Sequence, residues 1–307
     1  RWQEYEKLLN SGVPVLPDKR AEIFIQLTDD LSFARTQYAD SETAHYLNHL
    51  SAKIHANIYR NKKEDRSRFI TFWTRELPEL LNTLRRPMLY AFLIFGLAAA
   101  IGSISVLNDD TFIRLILGDG YVNMTLENIE KGQPLGVYAD SGELDMFFAI
   151  TFNNIRVSFT AFAAGILLSA GTGFVLFRNG IMVGAFFTFF YQKNLLVDSI
   201  FVVMLHGTIE LSAIVLAGAA GLHMGNAILF PKTYSRYDSF RQGAKDGLKL
   251  VMGLMPFFII AGFIESFVTR YANMPFFIKA VIVVGSMWLI IFYFFIYPLR
   301  FRHGTKN

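Results

Sequence analysis

"HGTIELSAIVLAGAAG" (206–221) sets a histidine and a glutamate one helical turn apart in a run otherwise made of apolar, small and hydroxyl side chains. The surrounding medium decides how such a run folds. The stretch that contains it, 199–221, exceeds the roughly 18 residues that mark a membrane span. Similar stretches lie at 87–107, 156–177, 249–268 and 276–298, and a shorter one, "GIMVGAFFTFFY" (180–191), is punctuated by polar residues on both sides. The 307-residue chain is 53% hydrophobic, and residues 1–86 are mostly polar. This pattern predicts an all-α, polytopic helical membrane protein with about six transmembrane helices. An N-terminal helical region covers 1–86, the membrane domain 87–299 and a basic tail 300–307.

Orientation follows from the basic residues, which collect on the cytoplasmic side. Between the first two spans, 108–145 carries Asp109, Asp110, Asp119, Glu127, Glu130, Asp140, Glu143 and Asp145 against only Arg114 and Lys131. By contrast, "PKTYSRYDSFRQGAKDGLK" (231–249) and the tail "RFRHGTKN" (300–307) are basic. The expected topology has 108–145 outside the membrane and both termini cytoplasmic. The net charge of +4 therefore reflects topology, and no nucleic-acid partner is implied. The chain has no cysteine, which excludes disulfides and thiol chemistry.

Three helical patterns fill the N-terminal region: 20–38, 41–59 and 65–86. The last mixes Phe69, Phe72 and Trp73 with arginines, as suits a helix lying on a membrane surface or a linker packed on the helices before it. His45 and His49 have one-turn spacing but lack a third clustered ligand, so they read as surface or packing residues.

Polar groups in a bilayer cost about 2.5–3.5 kcal/mol each near a helix centre when charged, so they are either functional or mutually satisfied. The candidates are Asn153, Asn154, Arg156, His206, Glu210 and Glu265. At about 1.5 Å per residue, His206, Glu210 and Glu265 fall in the outer half of the membrane, which predicts one polar cluster with Arg156, whose long side chain either snorkels or turns inward. "GELDMFFAITFNNIRVSF" (142–159) is expected to begin as an interfacial helix and to break at Asn153-Asn154 before descending. Pro256 should kink the fifth span. Small residues let helices approach closely in lipid. Gly165, Gly171 and Gly173 on one span, and Ala213, Ala217, Gly218 and Gly221 on another, form faces ample enough to suggest a second copy, with a homodimer as the simplest assembly.

These residues carry a resemblance. "FNNIRVSFTAFAAGILLSAGTG", "NGIMVGAFF", "HGTIELSAIVLAGAAGL" and "FIIAGFIESFVT" resemble, in order, the stage II sporulation protein M family of bacterial inner-membrane proteins. The cytoplasmic part is similar to longer members found outside spore-formers. The resemblance implies that Asn154, Arg156, His206, Glu210 and Glu265 are family motif positions; Leu205 departs from it, standing where many members have proline. It also implies a membrane scaffold for envelope-remodelling partners or, in the longer members, an association with MoxR-type ATPases.

The expected function is thus a non-enzymatic component of a cell-envelope complex, with lipid as its medium and no cofactor. One alternative is a transporter or channel-like protein using the His/Glu cluster; another is an intramembrane enzyme. Catalytic signatures such as HExxH, Gly-x-Ser-x-Gly or a phosphate-binding glycine loop are absent, and whether the cluster holds metal is open. A cavity reaching His206 from outside would favour either alternative over the scaffold.

Overall fold

The computed structural model describes residues 2–10, 17–38, 40–59, 67–132, 143–269 and 274–304; no strand occurs among them. The chain forms two compact units, Arg1–Phe69 and Ile70–Asn307.

In the first unit, α1 (Trp2–Asn10), α2 (Pro17–Gln37) and α3 (Glu42–Tyr59) follow one another. Ile23, Leu27 and Leu31 recur every fourth residue on α2 and pack against Leu47, Leu50 and Ile54 of α3. Ser41 caps α3 by accepting a hydrogen bond from the Ala44 amide at 3.1 Å. His45 and His49 are exposed on α3.

The second unit begins at Ile70, well before the boundary expected at 87. The reason lies in α4 (Ser67–Thr71), the π-turn Phe72–Glu76 and α5 (Leu77–Thr83). Leu77, Leu81 and Leu84 are fully buried in the membrane domain's core. Trp73 packs on Phe257 and Tyr293, the Tyr293 hydroxyl donates to the Trp73 carbonyl at 2.8 Å, and Lys249 Nζ lies 3.0 Å from Glu76. Phe72 and Trp73 of the aromatic stretch read from the sequence are therefore packed against later parts of the chain, whereas Phe69 is exposed.

The helices that follow are α6 (Arg85–Asn108), α7 (Phe112–Leu117), α8 (Asp119–Glu130), α9 (Glu143–Ala163), α10 (Ala170–Gln192), α11 (Leu196–Leu229), α12 (Arg236–Phe263) and α13 (Phe276–Ile290). Among the described residues, α6, α10, α11, α12 with its π-turn extension to Val268, and 276–301 are long and apolar enough to cross a membrane. The protein is an all-α polytopic membrane protein. α9 is too polar to meet that measure, yet its 21 residues span about 31 Å, enough for a bilayer core of about 30 Å. Within the bundle, α9 packs against α11 and α12.

Three sequence expectations are corrected here. The spans placed at 156–177 and 180–191 are instead α9 and α10, separated by a 3-10 turn at Ala164–Ile166 and a left-handed step at Leu168 and Ser169. Side chains hold this turn inside an otherwise apolar run: Ser169 donates to the Leu222 carbonyl and Thr172 to the Ala161 carbonyl, at 3.2 and 2.6 Å. Asn153-Asn154 does not break α9, because Asn154 is buried against neighbouring helices while the backbone remains helical. The segment after α6 is not a plain loop either, since Ile113 of α7 and Val122 of α8 join Val106, Phe189 and Phe190 in a small core capping one end of the bundle.

α11 is the central helix, touching α6, α9, α10, α12 and α13. Its small residues make this possible. A Cβ on Gly218 would stand 2.6 Å from Leu176, and one on Gly221 would lie 2.5 Å from the Ala161 carbonyl oxygen. Ala213 and Ala217 are fully buried. Gly165 meets the Gly221 backbone and Gly171 meets Ala164, whereas Gly173 faces open space. Most of these small residues are thus used within one chain. Pro256 lies inside α12, where it leaves the helix one intrahelical donor short.

Candidate functional site

α11 presents His206 and Glu210 on one face, since residues four apart are neighbours on a helix surface. The third side chain comes from the far end of α12, where the π-turn Ile264–Val268 carries Glu265. His206, Glu210 and Glu265 each offer a ligand atom, and these atoms lie within 4.8 Å of one another. His206 Nε2 is 3.6 Å from Glu265 Oε1, and His206 is only 4% exposed.

The other imidazole nitrogen is also engaged: His206 Nδ1 lies 3.3 Å from Thr269 Oγ1. The Thr269 hydroxyl is 3.2 Å from the Ile264 carbonyl, to which it donates its single proton. Its oxygen can then accept from Nδ1–H in the tautomer that carries the proton there, with Nε2 on the Glu265 side.

α9 forms the third wall. Asn154, 4% exposed, lies against Glu210, and its Nδ2 makes no hydrogen bond of normal geometry. Thr151 and Ser158 share that face of α9, and their buried hydroxyls, like that of Ser266, have no hydrogen-bond partner among the described residues. Asn153 and Arg156 are exposed, so the structure brings together four of the six expected polar residues and leaves those two outside. The helical rotation explains it: a side chain two positions from Asn154 points about 200° away. Among the described residues, neither carboxylate pairs with a lysine or arginine.

Next to the cluster is a cavity of about 380 Å³. His206, Glu210 and Glu265 line it together with Phe186 and Phe187 of α10 and with Ile116 and Tyr121 from α7 and α8. Burial raises the Tyr121 phenol above the ordinary tyrosine range, so it remains a hydroxyl. Sequence reading missed Thr269, Thr151 and Ser158. The i, i+3, i+7 spacing of Thr151, Asn154 and Ser158 carried a signal, a polar stripe on an apolar helix.

A helical bundle with a buried His/Glu/Glu cluster opening on a cavity defines a multi-pass membrane protein with an internal polar site. Residues 91–270 match the family described as Stage II sporulation protein M, and the chain belongs to that family. Residues 1–60 match a domain of unknown function, DUF8413. No curated protein and no solved structure matches the chain.

Proposed function

We propose that this protein is a transporter or channel-like component of the bacterial inner membrane that takes a small cation or proton into its internal site. The observation that carries this reading is the cavity of about 380 Å³, lined by His206, Glu210 and Glu265 among apolar side chains. Intramembrane ionisable residues that face a cavity are the usual parts of ion and proton paths. A helix lock would need the hydrogen bonds but not the cavity. The acidic character of 108–145 and the basic character of 231–249 and 300–307 support a periplasmic cavity mouth and cytoplasmic termini.

Reconstitution into liposomes loaded with proton- or zinc-sensitive dye tests this reading. Flux above protein-free vesicles is expected, and Glu210→Gln should reduce it by about 10-fold or more. Wild-type protein that conducts neither protons nor divalent cations would end the transport reading.

A second reading is the non-enzymatic scaffold that family membership suggests, with envelope-remodelling proteins or a MoxR-type ATPase as partners. Ile25, Phe33 and Tyr38 favour it, since all are exposed on the first unit, whose described helices are not apolar enough to cross a membrane. Copurification from native membranes, with and without Phe33→Ser, tests it: a partner lost from the variant supports the scaffold, and an unchanged protein set opposes it.

A further inference from the structure

We propose that His206, Glu210 and Glu265 bind one divalent cation of the zinc or manganese class, with Asn154 as a fourth donor. This deepens the transport reading and rests on the cluster being a ligand site.

The donor atoms are close to ligation. Two ligand atoms around a tetrahedral ion at about 2.0 Å lie about 3.3 Å apart. His206 Nε2 and Glu265 Oε1 are separated by 3.6 Å, and all three donors lie within 4.8 Å. Small side-chain rotations close that difference.

The imidazole is also oriented as a ligand. A metal-bound histidine characteristically donates its second ring N–H to an oxygen, which fixes tautomer and ring plane. Thr269 supplies that oxygen at 3.3 Å. In that tautomer Nε2 is the ligating nitrogen, and it stands 3.6 Å from Glu265 Oε1.

Charge points the same way. Two carboxylates this close in a low-dielectric setting need compensation, because an unpaired buried charge is costly. Among the described residues no lysine or arginine provides it, and Arg156 is exposed on the other side of α9. A single divalent ion neutralises both carboxylates at once. The buried Asn154 amide lies against Glu210 and supplies the neighbouring polar group on the α9 side.

One imidazole with carboxylate and amide oxygens suits zinc or manganese, whereas copper(I) prefers thiolate or thioether ligands. The cavity side remains open for water or an exchanging ligand, unlike a closed structural site.

The test uses the full chain, purified in detergent, stripped with EDTA and dialysed against zinc chloride, with bound metal counted by mass spectrometry. About one tight zinc per chain is expected. His206→Ala and Glu210→Gln should each weaken binding at least ~10-fold, while His45→Ala/His49→Ala should leave it unchanged. Equal zinc in wild type and His206→Ala overturns the site. Where a variant does not fold, X-ray absorption of zinc-loaded wild type decides: one imidazole nitrogen among oxygens supports the site, and two or more imidazoles refute it. Binding without flux keeps the metal site and ends the transport reading. Flux of protons without zinc binding does the reverse.

Discussion

His206 and Glu265 face each other at 3.6 Å across the junction of α11 and the π-turn that ends α12, although they lie far apart in sequence. The contact joins two helices and also lines a cavity. A structural lock and a working site therefore share the same atoms, and variants that separate geometry from charge can tell them apart.

Glu210→Gln keeps the size and hydrogen-bonding capacity of the side chain and removes only its charge. The folded protein should survive, with a thermal midpoint within about 4 °C of wild type, and flux should fall by about 10-fold or more. Glu210→Ala should also lose about 1–3 kcal/mol of stability by stranding buried polar neighbours. Full flux in a well-folded Glu210→Gln protein would assign the cluster to the lock.

Thr269 acts on the site through His206 and is a positioning residue. Thr269→Val preserves shape but removes the acceptor at Nδ1, freeing the ring to choose its tautomer. Zinc affinity should fall 10- to 100-fold, and Thr269→Ser should recover most of it. An unchanged dissociation constant in the valine variant would show that the hydroxyl does not orient the ring.

Packing around α11 gives a contrast between two glycines. Gly218→Leu drives a side chain into Leu176, whereas a Cβ at Gly173 has nothing within 4 Å. The first should cost about 1–3 kcal/mol or prevent folding, and the second should be close to neutral in a thermal melt. If Gly173→Leu instead left the monomer fold intact but reduced a cross-linked dimer, that face would belong to a second copy.

Because the chain has no cysteine, single-cysteine labelling can test the topology without background. Asn123→Cys on α8 and Lys232→Cys before α12 should react from opposite sides of the membrane, with the former accessible from outside intact cells. Reaction of both from the same side would overturn the assigned orientation.

Much of the fold could be read from the sequence because membrane spans announce themselves by length and hydropathy. α6, α11 and the end of α12 lie close to where the apolar runs place them. The α9–α10 turn could not be read this way. It lies in "AAGILLSAGTG", which is as apolar as a span, and its backbone is held by Ser169 and Thr172 contacting distant carbonyls. The site was legible to the extent that ionisable residues stand out against an apolar background. His206, Glu210 and Glu265 met that condition. Arg156 met it too but points away, because charge in a sequence does not reveal which way a helix is turned. Thr269 was hidden because a threonine near a helix end is unremarkable until its partner is known.

The wide turn at Ile264–Val268 contains one residue more than an ordinary helical path would use. The wider turn absorbs that residue, so Thr269 closes back on the Ile264 carbonyl through its amide at 2.8 Å as well as through its hydroxyl. Acid and imidazole anchor therefore belong to one local insertion, and both reach the same histidine from a single turn of chain.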